Sequence, residues 1–109
     1  MITRYGPRVS VTGSANLTGD QTSGTGRVLD LSLPGCLLEY PNALRGGDYV
    51  KLRLFLPDRA APMSIPLAVV RWVKGTLAGL EFIRSSDDDQ ARLAEFVQNH
   101  MPPRDLSPK

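Results

Sequence analysis

The stretch Arg27-Val-Leu-Asp30-Leu-Ser32-Leu-Pro34-Gly35-Cys36-Leu-Leu-Glu39 is apolar, turns polar at Asp30 and Ser32, breaks at Pro34-Gly35 and becomes apolar again. A strand, a tight turn and a second strand form the simplest structure for that pattern. Asp30 and Ser32 are two positions apart, so on one extended strand they project from the same face. Gly35 carries no side chain and lets a backbone or a ligand come close.

Upstream of the turn, residues 9–11 and 15–17 read as two short strand pieces separated by Gly13, and residues 19–26 (GDQTSGTG) read as a polar loop. The strands flanking the central turn are expected over 25–31 and 36–40. Downstream, residues 49–56 carry the clearest alternation: Val50, Leu52, Leu54 and Leu56 on one face, Tyr49, Lys51, Arg53 and Phe55 on the other. Residues 65–83 read as a hairpin that turns at Lys74-Gly75, with Pro66 near the start of its first strand, where proline is tolerated. At Ser86 the pattern changes. A capping hydroxyl, then Asp87, Asp88 and Asp89, then Leu93, Phe96, Val97 and Met101 at helical spacing predict a helix over about 86–101, ended by Pro102-Pro103. About six short strands and one amphipathic helix predict an all-β domain with one helix, a small antiparallel barrel or sandwich plugged by that helix.

The size and composition narrow the function. The chain has 109 residues, enough for one domain with a modest core, and its apolar and charged fractions of 41% and 22% are those of an ordinary globular protein. A net charge of +2 is too small to imply a polyanion partner. One cysteine, Cys36, allows no internal disulfide, and it reads as a small buried hydrophobe. His100 is the only histidine, so there is neither a metal-ligand set of ordinary type nor a Ser-His-Asp arrangement with a plausible frame. No apolar run is long enough to span a membrane and residues 1–7 have no apolar leader core, so the expectation is a cytoplasmic protein without membrane insertion.

A second feature completes the pattern. Arg4 and Arg8 stand four apart around Gly6-Pro7, and about twenty residues later comes Asp30-x-Ser32-x-x-Gly35. Arg-x-x-x-Arg followed by Asp-x-Ser-x-x-Gly resembles the PilZ domain, a receptor for the bacterial second messenger cyclic di-GMP. The similarity extends through the Gly-Asp-Tyr-Val-Lys-Leu-Arg-Leu, Val-Val-Arg-Trp and Gly-Leu-Glu-Phe strands. The resemblance implies a six-stranded barrel with a C-terminal helix. It divides the chain into an arginine-containing arm (1–8), the barrel domain with its helix (9–101) and a tail (102–109). It further implies a non-enzymatic bacterial receptor for cyclic di-GMP with no cofactor, whose site is Arg4, Arg8, Asp30, Ser32 and Gly35. Signalling would proceed by ordering of the arm on binding, read by a downstream effector protein. The alternatives are a degenerate adaptor of the same family that no longer binds nucleotide, or a small barrel that binds nucleic acid. The second wants several exposed aromatics among basic residues, and the chain has only one Trp, three Tyr and three Phe.

The chemistry of the residues agrees. Phosphates and the O6/N7 edge of guanine are matched by guanidinium forks, and guanine N1 and N2 hydrogens by a carboxylate such as Asp30. Each residue also has a plainer role: Arg4 and Arg8 as solvated charges, Asp30 and Ser32 as turn caps, Gly35 as turn geometry. Trp72 reads as a core or rim aromatic, with a flanking stack on guanine as the alternative; Arg71 reads as weaker still. Pro34 stiffens the turn.

Overall fold

The computed structural model describes residues 8–57 and 61–100. Arg4, the rest of the expected arm before residue 8, and Met101 with the expected tail lie outside them. The described residues form β1 (Val9–Gly19), β2 (Ser23–Leu31), β3 (Gly35–Glu39), β4 (Tyr49–Phe55), β5 (Met63–Lys74), β6 (Leu77–Arg84) and α1 (Asp87–His100). The strands close into an antiparallel barrel in the order β1-β2-β3-β6-β5-β4.

Closure follows from the alternation. Val50, Leu52 and Leu54 of β4 face inward beside Ala15 and Leu17 of β1, Val28 of β2, Leu38 of β3, Val70 of β5 and Leu80 of β6, all buried in one apolar cluster. A barrel of this size is filled by such side chains and leaves no free edge. Two expectations are corrected. The pieces at 9–11 and 15–17 are one strand, which carries a register irregularity between Ser10 and Gly13. The polar loop expected over 19–26 shrinks to residues 20–22, because residues 23–26 pair with β1. Glycine and hydroxyl residues mark turns by propensity, yet barrel closure supplies Ser23 and Gly24, ahead of the strand expected from residue 25, with ladder partners that outweigh propensity. Pro66 stands inside β5, at a register shift between Ile65 and Ala68 where a missing N–H is tolerated.

α1 plugs the barrel. Leu93, Phe96 and Val97 join the core, with Phe96 fully buried. Its start is fixed by polar contacts: the Asp89 N–H donates to Ser86 Oγ (3.0 Å), and Asp89 Oδ2 accepts from the Ser64 N–H of β5 (3.2 Å). Arg92 bonds Asp89 Oδ1 and the Ala61 carbonyl, both at 2.8 Å, and so ties the helix to the segment entering β5. Replacing Phe96 with Ala is expected to cost about 3–5 kcal/mol in chemical denaturation, the range for a fully buried ring. A loss well under about 1 kcal/mol would mean that the barrel closes without its helix.

Candidate functional site

Two departures from regular alternation build a cleft on the outside of the barrel. On β2, Val28 pairs with Leu38 but Asp30 pairs with the next β3 residue, Leu37, so Leu29 is an extra residue in the ladder. Val28 is fully buried, and strict alternation would send Asp30 inward behind it. The bulge turns Asp30 out instead. On β5 the same happens at Arg71: Val70 pairs with Leu80 and Trp72 with Gly79. Val70 is fully buried, while Trp72 is 44% exposed.

The two bulges align their products. Ser10 pairs with Asp30, Asp30 with Leu37, Leu37 with Gly79, and Gly79 with Trp72, a single row across five strands. Asp30 and Trp72 are three inter-strand steps apart, roughly 14 Å along the sheet at about 4.8 Å per step. The gap is narrower than that, because the indole folds back over Gly79 and occupies the place where a side chain at Gly79 would stand. The cleft between them is lined by Arg8, Asp30 and Ser32 on one side and by Arg71, Trp72 and Glu81 on the other, over Leu37 and Gly79.

The turn that precedes β3 is stiffly held. The Ser32 N–H and the Ser32 hydroxyl both donate to the Gly35 carbonyl, at 2.9 and 3.1 Å, and Ser32 is only 3% exposed. The Pro34 carbonyl accepts from the Phe82 N–H of β6 at 2.7 Å, which pins the turn to the neighbouring strand. Ser32 lies past the end of β2, so the same-strand argument for a common face with Asp30 does not apply; the turn, not strand pleat, brings Ser32 to the cleft. Gly35 is needed for close approach of protein, not of ligand: the Leu80 carbonyl of β6 occupies the place of its missing side chain. Arg8 precedes Val9, which pairs with Leu31, and so enters the cleft beside Ser32. The expected set is therefore brought together as Arg8, Asp30, Ser32 and Trp72, with Gly35 beneath, while Arg4 lies outside the described residues.

Sequence reasoning passed over Arg71 and Glu81. Arg71 Nε donates to Glu81 Oε1 at 2.6 Å, with both side chains partly exposed. An exposed pair of this kind contributes at most about 1 kcal/mol, so its effect is chiefly on orientation. Cys36 lies just under the cleft, and burial pushes its thiol up to about 12. Among the described residues no cluster of His, Cys, Asp and Glu could hold a metal ion, and no helix is long and apolar enough to cross a membrane.

A closed six-stranded antiparallel barrel with a C-terminal helix and a polar, arginine-lined external cleft is a ligand-binding module in form. Residues 2–99 match the PilZ domain, and the chain belongs to that family, whose members are in general non-catalytic binding domains. Three solved structures share the fold. The PilZ domain of CeSA from a cellulose-synthesizing bacterium is 17% identical, with a TM-score of 0.68 over 86% of this chain and 97% of that one. The PilZ domain of YcgR from Escherichia coli, solved with c-di-GMP, is 15% identical, with a TM-score of 0.72 over 92% of each chain. The Bacillus subtilis inhibitor of motility MotI/DgrA is 17% identical, with a TM-score of 0.74 over 91% of this chain but only 51% of that longer one. No curated protein sequence matches the chain.

The state of Cys36 is directly testable. From the ordinary thiol range up to about 12 the folded chain keeps a proton that the unfolded chain has lost, so stability falls as pH rises through that window. At neutral pH a thiol reagent should label Cys36 only as fast as the barrel opens. Rapid, complete labelling of folded protein would mean that the sulfur is reachable from the cleft.

Proposed function

We propose that this chain is a non-enzymatic receptor for cyclic di-GMP. The observation that carries the proposal is the convergence of Arg8, Asp30, Ser32 and Trp72, from separate segments, on one external cleft. Their chemistry matches the ligand group by group. Arg8 supplies a fork for phosphate or a guanine edge, Asp30 an acceptor for guanine N1 and N2 hydrogens, and Trp72 an exposed face on which a base can stack. The solved complex of the YcgR PilZ domain with c-di-GMP supports the choice of ligand.

In this proposal Ser32 and Gly35 shape the turn that presents Asp30, and Arg4 adds a second guanidinium from the arm. Ordering of that arm over the cleft is the output: arm and ligand together cover one side of the barrel with a surface that an effector protein can distinguish. Backbone amide relaxation over residues 2–8, with and without cyclic di-GMP, tests the output, and an unchanged arm would remove it while leaving binding intact.

Titration calorimetry with cyclic di-GMP, using GMP and a short oligonucleotide as controls, tests the binding. Saturable binding of cyclic di-GMP alone is expected, weakening as salt rises. Arg8→Ala should lose at least about 2 kcal/mol, the scale of a charge-assisted bidentate contact, with the fold intact because Arg8 lies outside the core. Full affinity in a folded Arg8→Ala protein, or no binding by the unaltered chain, would overturn the receptor function in favour of a nucleotide-free adaptor.

A further inference from the structure

Arg71 is the residue left over by the register shift between Val70 and Trp72. A bulge residue is not bound by strand alternation, so Arg71 and Trp72, although consecutive, are both exposed and both line the cleft. Arg71 Nε donates to Glu81 Oε1 from the adjacent strand, and among the described residues Glu81 is its ion-pair partner. A guanidinium has five N–H donors in a flat fork, and the bond to Glu81 uses the Nε–H, so the N–H groups of the two terminal nitrogens remain for a ligand.

Its two neighbours limit how that fork can be used. Glu81 holds the guanidinium at the cleft wall. Trp72, the next residue, spreads its indole over Gly79 along the cleft. A purine stacked on that indole brings an edge within reach of Arg71. Guanine shows two acceptors on its O6/N7 edge, which the fork matches; adenine shows one acceptor and one donor, which it does not. We propose that Arg71, positioned by Glu81, reads the base in this cleft and makes it select guanine over adenine cyclic dinucleotides. The inference rests on the cyclic-dinucleotide function proposed above and adds to it the residue that sets base specificity.

The test is calorimetry with cyclic di-GMP and cyclic di-AMP on the unaltered chain, Arg71→Ala, Arg71→Lys, Glu81→Gln and the double variant Arg71→Ala/Glu81→Gln. Arg71→Ala should weaken cyclic di-GMP binding by about 10- to 100-fold, the worth of one bidentate base contact, without weakening cyclic di-AMP. Arg71→Lys should behave the same way, because an ammonium has no fork. Glu81→Gln should weaken cyclic di-GMP when Arg71 is present and add nothing when Arg71 is absent. Equal losses for both nucleotides, or none, in folded Arg71→Ala protein would overturn the base-reading role while leaving the receptor function standing. A Glu81→Gln effect that persists without Arg71 would overturn the positioning role. An unaltered chain that binds neither nucleotide would remove the receptor function and this inference together.

Discussion

Strand alternation in a closed barrel is the constraint on which this structure depends. Six strands leave an interior just large enough for side chains, so every second residue must be apolar and face inward. A polar group due to point inward can reach the surface only if the ladder slips by one residue. Leu29 and Arg71 provide that slip on β2 and β5. Each slip delivers one side chain, Asp30 or Trp72, to the same row of the outer surface, and neither disturbs the buried residue before it, Val28 or Val70. The cleft is thus a by-product of barrel geometry, placed where two bulges come into register.

The rigidity of that cleft comes from backbone contacts under it. The Gly35 carbonyl receives two donors from Ser32, and the Pro34 carbonyl receives one from Phe82. The turn is therefore bound internally and to β6 at once, and the residues it carries are held before any ligand arrives. Such pre-organisation lowers the ordering cost of binding. The absence of side chains at Gly35 and Gly79 serves the same end, one admitting the β6 backbone and the other the indole of Trp72.

The helix secures the opposite requirement, closure of the core. Leu93, Phe96 and Val97 are buried with the strand residues, and Asp89 and Arg92 fasten the first turn to residues around the start of β5. Apolar burial supplies the attraction here, while the directional polar contacts fix where along the barrel the helix docks.

Much of this was legible in the sequence. The alternation of residues 49–56 fixed β4 and its inward face, and the helical spacing of Leu93, Phe96 and Val97 placed α1 and its buried face. The resemblance carried by Arg4, Arg8, Asp30, Ser32 and Gly35 pointed to the family to which the chain belongs. These are local periodicities and short motifs, set by the geometry of a single element. The bulges were not legible, because a one-residue slip is decided by the partner strand and leaves only a broken alternation in the text. For that reason the sequence implied that Asp30 and Ser32 share a strand face, began the strand at residue 25 with residues 23 and 24 left in a loop, and discounted Arg71. Only the paired strands determine that Ser32 leaves the strand face of Asp30, that Arg71 faces Glu81 across a ladder, and that Asp30 and Trp72, 42 positions apart, lie on one row of the same sheet.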